Sequence, residues 1–136
     1  NNIFVHRDFH VSNMMYKNNK IYLIDSQDAV IGNPAYDLAS LIDDVRYKSS
    51  YLLKKKIYLY FLQKNKKIDK KSFLNDFLIL SVLRNLKILG IFTRLAKRDK
   101  KKNYLKLIPY TWKLIKLRTN GNIIFNELIS SINDKK

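Results

Sequence analysis

Apolar and polar positions change rhythm at about residue 33. Before it the apolar runs are short. Ile3-Phe4-Val5 leads into a polar stretch, and residues 9–13 read as loop. Runs at 14–16 and 20–24 have strand character, and Lys17-Asn18-Asn19 between them is a turn signal, which predicts a small hairpin. Asp25 falls where its second strand ends. After residue 33 the spacing becomes helical. Asn33-Pro34 suits a helix start, and Leu38, Leu41, Ile42 and Val45 form a stripe at spacings of three and four. Further helices are predicted over 51–64, 72–97 (begun by Asp69 or Ser72), 103–119 (stopped by Asn120-Gly121) and 123–132. Lysine clusters fall at helix ends and connections, and there is no internal repeat. The expected fold class is mainly α (α+β), a hairpin-bearing loop packed on a helical body.

Length changes the picture little: 136 residues suit one modest domain. The chain has no cysteine, so disulfides and thiolate metal sites are excluded. The apolar-rich stretch 73–95 carries Asp76, Arg84, Lys87 and Arg94, a charge density unlike a membrane span. No signal-peptide pattern opens the chain, and the expected location is the cytoplasm. The net charge of +16 suggests nucleic acid at first. Its distribution argues otherwise. Residues 1–44 carry −3 and residues 45–136 carry +19, mostly lysine. A solvated basic surface in an Asn-, Ile- and Lys-biased chain is the simpler reading. The acidic first third is more informative, because such clusters recruit Mg²⁺.

That third holds Asp8 and Asn13, five apart, and Asp25 after the hairpin. Phosphoryl transfer asks for a carboxylate to take the proton of the attacking hydroxyl and for oxygen ligands to Mg²⁺ bridging the phosphates. The run His6-Arg7-Asp8-Phe9-His10-Val11-Ser12-Asn13 has the form H-R-D-x-x-x-x-N. Asp8 is the candidate base, and Asn13 and Asp25 the candidate Mg²⁺ ligands. Only eleven residues separate Asp25 from Asp37 and no Ala-Pro-Glu follows, too short for a peptide-binding activation segment. A small hydroxylated acceptor is therefore expected.

These residues resemble the catalytic loop of the aminoglycoside phosphotransferase and choline kinase superfamily, whose fold is protein-kinase-like. Ile24-Asp25-Ser26-Gln27-Asp28-Ala29, with Gly32, Pro34 and the run Tyr36-Asp37-Leu38-Ala39-Ser40-Leu41, narrows the resemblance to bacterial anomeric N-acetylmuramate and N-acetylglucosamine kinases. The run from Arg84 through Leu95, then Tyr104-Leu105 and Ile108-Pro109, looks like the same family. The resemblance implies ATP and Mg²⁺ as cofactors and phosphorylation of the anomeric hydroxyl of an amino sugar in cell-wall recycling. Ser26 departs from it, standing where an aromatic residue usually follows the metal-binding aspartate.

The resemblance also bears on other positions. It implies that Asp37 braces the catalytic loop by accepting backbone N–H bonds, as a buried carboxylate must be paired. His6 reads as bracing through a backbone bond. His10 either approaches phosphate or packs. Gln27 and Asp28 are equally suited to binding sugar hydroxyls or shaping a turn. Arg84 and Lys87, three apart, share one helical face. That face reads as solvated, with contact to a sugar carboxylate as the alternative. No Gly-rich loop or strand lysine for the phosphates is found, so the chain, residues 1–136, is expected to be a C-terminal catalytic lobe without its N-terminal ATP-binding lobe, inactive alone. The rivals are a choline or aminoglycoside kinase, and a non-catalytic module whose basic surface binds nucleic acid or lipid.

Overall fold

The computed structural model describes residues 2–133. It is mainly helical, with two small two-stranded sheets. Two compact units divide it, residues 1–84 and 85–136.

In the first unit, β1 (Ile3–Val5) pairs antiparallel with β4 (Val30–Gly32), and β2 (Met14–Lys17) pairs with β3 (Lys20–Leu23). The second pair is the expected hairpin. Its register sets Lys17 against Lys20, so Asn18-Asn19 forms a two-residue loop. Both asparagines have positive φ, 51° and 58°, the left-handed pair that matches the twist of the flanking strands. Asn tolerates this region because its short polar side chain bonds locally, and Asn19 Oδ1 accepts from the Tyr16 hydroxyl at 2.9 Å. The β1–β4 sheet was not expected. Its strands are three residues each and far apart in sequence, and such short apolar runs have no period to read.

Helix α1 (Ala35–Ile42) starts as expected, with Asn33 Oδ1 accepting the Ala35 N–H at 2.9 Å. It stops short of Val45. The Ile42 carbonyl, left open at the helix end, accepts from the Lys54 ammonium. Lys54 also pairs with Asp43 at 3.0 Å, and Ser81 Oγ donates to the other Asp43 oxygen at 2.7 Å. Lysine and aspartate are both buried, so each needs the other. Helix α2 (Tyr51–Lys64) is capped by Ser50 Oγ, which accepts the Leu53 N–H at 3.2 Å. Helix α3 (Lys70–Lys97) begins after Asp69, whose carboxylate accepts the Ser72 N–H at 2.7 Å. Leu38, Ala39, Ile42, Phe73 and Phe77 form the core of this unit, with Ile57, Tyr58, Phe61 and Leu62 against it. Phe61 stacks on Phe73 at 5.2 Å, and Tyr58 tilts over Phe77 at 5.0 Å.

The second unit corrects the expected helix over 103–119. Residues Lys102–Leu107 form 3-10 turns, and α4 runs Ile108–Thr119. Pro109 has no N–H to give to residue 105, so an α-helix cannot run through it with its bonds intact; it suits the first turn of a new one. Asn120-Gly121 ends α4 as expected, with Gly121 at φ 70°. The expected 123–132 helix divides into a 3-10 turn (Ile123–Phe125) and α5 (Asn126–Asn133). Phe92, Leu114, Ile115 and Phe125 are buried in this unit, and Phe92 meets Tyr104 at 5.2 Å. Among the described residues no helix is long and apolar enough to cross a membrane.

Candidate active site

The candidate site is built on backbone contacts between the loop after β1 and the ends of the β2–β3 hairpin. Arg7 has φ 70°, a left-handed conformation unusual for a long side chain. With that turn, the consecutive N–H groups of His6 and Arg7 both donate to the Asp37 carboxylate, at 2.7 and 2.9 Å. Asp37 lies in the first turn of α1, where a negative charge also suits the helix dipole. One carboxylate on a rigid helix thus holds the loop in a conformation it would otherwise avoid.

Next along the loop, the Asp8 carbonyl takes two donors, the His10 N–H at 3.0 Å and Asn13 Nδ2 at 3.0 Å. The Asp8 backbone is pinned while its side chain stays partly exposed, with no hydrogen bond among the described residues. With its amide nitrogen committed to Asp8, Asn13 presents its amide oxygen as an acceptor. A 3-10 turn over Val11–Asn13 carries the chain into β2.

The third element is Ile24. Its N–H donates to the Asn13 carbonyl at 3.1 Å, and its own carbonyl accepts from His6 Nε2 at 3.0 Å. His6 is buried, with the edge of its ring set against Phe9 at 6.3 Å. Both peptide groups of Ile24 are therefore held, one from Asn13 and one from His6. Asp25 follows at φ 68°, exposed, with Gln27 Nε2 donating to its carboxylate at 2.6 Å. Asp8 and Asn13 are thus bonded to each other, and Asn13 and His6 both bond the residue before Asp25. The Asp37 bracing is as the resemblance implied, whereas the left-handed conformations of Arg7 and Asp25 have no sequence signal and appear only in the structure.

The other expected residues separate. Gln27 and Asp28 are exposed on the turn after Asp25; Gln27 reaches back to Asp25, and the Asp28 carbonyl accepts from Arg7 Nη1 at 3.3 Å. His10 is buried, and burial first, then the Arg46 charge, lowers its pKa from the ordinary histidine value. Lys87 is exposed. Arg84 is not: only 5% of it is accessible, so the solvated-face reading fails there. Its α3 position turns inward, and periodicity alone does not tell a buried arginine from a solvated one. Burial pushes the guanidinium below its ordinary value.

Residues 1–54 match the sequence profile of the phosphotransferase enzyme family (APH), and they contain the whole framework just described. That segment carries the family's sequence pattern. Among relatives of the chain, the N-acetylmuramate/N-acetylglucosamine kinase of Caulobacter vibrioides is 34% identical over 115 residues, covering 81% of this chain and 32% of that protein. Proteins of the same name from Neisseria meningitidis serogroup B and Pseudomonas aeruginosa are 33% and 31% identical, each over 79% of this chain and about a third of their own length. The chain thus spans about a third of the relatives that it matches. Family kinases use ATP. A hard cation such as Mg²⁺ prefers neutral and anionic oxygens, and the Asn13 amide oxygen and Asp25 carboxylate fit that preference. Among the described residues no cluster of three His, Cys, Asp or Glu side chains forms a metal cage, so such an ion would rely on phosphate and water for its other ligands.

Proposed function

We propose that this chain is the catalytic lobe of an ATP- and Mg²⁺-dependent kinase that phosphorylates the anomeric hydroxyl of an amino sugar, N-acetylmuramate or N-acetylglucosamine. The observation that carries this reading is the double hold on Ile24, from Asn13 on one side and His6 on the other. It ties a base candidate and two metal-ligand candidates into one unit. Asp8 accepts the proton of the attacking hydroxyl, Asn13 and Asp25 hold Mg²⁺ against the phosphates, and His6 and Asp37 brace the loop. The chain spans about a third of the relatives' length, so the activity is proposed for a protein of the relatives' length. The substrate assignment rests on the relatives' names and on the short segment between Asp25 and Asp37.

The test is a coupled kinase assay on the protein that carries this chain, offered both amino sugars, choline and an aminoglycoside. Phosphorylation of an amino sugar is expected. Asp8→Asn should lower kcat by about 10²–10⁴-fold, the usual worth of a general base. Turnover of choline or the aminoglycoside alone would overturn the substrate. Full activity of Asp8→Asn would overturn the site.

A further inference from the structure

Arg84 is buried in the first unit, and among the described residues its Nη1 has no hydrogen-bond partner. A buried guanidinium is stable only when paired, and an unmet N–H there costs free energy. The carboxylates around it are already engaged. Asp43 pairs with Lys54 and accepts from Ser81. Asp44, buried, accepts the Arg46 N–H at 3.0 Å and pairs with the Arg46 guanidinium at 3.5 Å. Arg84 interacts electrostatically with Tyr36, Asp44, Arg46 and Asp43, and His10 with Arg46, Asp44, Arg84 and Asp8. His10 is also buried with an unpartnered ring nitrogen, Nδ1, and it lies two residues after the candidate base. Two buried nitrogens, Arg84 Nη1 and His10 Nδ1, are therefore unmet among the described residues, in groups that feel each other's charge.

We propose that Arg84, with His10 beside it, binds an anionic group of the acceptor, and that this group is a carboxylate. The inference rests on the amino-sugar reading above and deepens it. A carboxylate offers two acceptor oxygens to a planar guanidinium and neutralises its charge at once. Of the two sugars in the relatives' shared name, N-acetylmuramate bears a carboxylate and N-acetylglucosamine does not. Arg84 is then a specificity residue: it favours the acidic sugar without taking part in the transfer itself. Lysine would not replace it, because an ammonium lacks the fork.

Two measurements test this on the protein that carries the chain. The first is the ratio of KM values for N-acetylmuramate and N-acetylglucosamine. Arg84→Met and Arg84→Lys should each shift it against N-acetylmuramate by about tenfold or more, the loss of a charge-assisted bond. An equal loss for both sugars, or an unchanged ratio, would assign Arg84 to the fold and overturn the proposal. The second is titration with D-lactate as a bare carboxylate probe, watched by NMR at the Arg84 side-chain N–H. Saturable shifts that are absent in Arg84→Lys are expected, and no shift would overturn the site. If neither sugar is phosphorylated but lactate still binds at Arg84, the function assigned above fails and the anion site stands.

Discussion

Two regions of the first unit are held together by opposite means. From α1 to the early turns of α3, apolar side chains do the holding: Leu38, Ile42, Phe73 and Phe77 are each no more than 5% exposed. Between β1 and β4 most apolar side chains are exposed, with Phe4 59%, Tyr16 73% and Ile31 72%, although Val5 is buried. There the structure rests on named polar bonds: the Asp37 carboxylate to two N–H groups, Asn13 to the Asp8 carbonyl, and His6 to Ile24. The difference is functional. A burial-driven core is insensitive to the direction of any one contact, whereas a candidate active site needs particular atoms in particular places. Hydrogen bonds supply direction; apolar burial does not.

The comparison breaks most visibly at Phe77. Phe77→Ala should destabilise the unit by about 3–5 kcal/mol, read by denaturant unfolding. Activity per folded molecule should hardly change, since Phe77 packs in the helical core against Tyr58. A large fall in kcat of the folded fraction would show that the two regions are not separable.

Asp37→Ala tests the other side. It leaves the His6 and Arg7 N–H groups without their acceptor and costs about 1–3 kcal/mol. Its effect on catalysis should exceed that on stability, because Arg7 is then free to leave its left-handed conformation and Asp8 moves with it. Intact kinetics in the folded variant would remove Asp37 from the framework.

The smallest effect concerns pH. Burial, then Arg46, lowers the folded-state pKa of His10, opposed by Asp44 and Asp8. The unfolded chain therefore binds the proton more readily. The stabilising contribution is present above the ordinary histidine range and is lost as pH falls through it towards the lowered folded value. His10→Gln should flatten the acid limb of a stability–pH curve over about pH 7 to 5. An unchanged limb would mean that other groups set it.

The same division governs what could be read from sequence. The hairpin, the starts of α1 and α2 and the stop at Gly121 were legible, because turn residues, caps and 3.6-residue spacing are local signals. Asp8, Asn13 and Asp25 were legible as candidates, since their spacing is that of a phosphotransferase loop. The β1–β4 pairing was not, since nothing within three residues names a partner 25 to 29 positions away. The break before Pro109 was marked by the proline itself, yet helical spacing on both sides obscured it. Arg84 was misread because a buried charge looks like a solvated one until the helices around it are in place. A backbone bond from His6 was expected, but not that Ile24 would receive it, because the acceptor is a peptide group, which every residue carries.

Ile24 has one further consequence, for variation. Its side chain is 44% exposed, while both of its peptide groups are bound. Selection on this position acts on the backbone, so many side chains are interchangeable there and proline, which has no N–H, is excluded. A position essential to the arrangement of the site can thus drift freely in its lettering, and its importance would be recorded mainly as one missing amino acid.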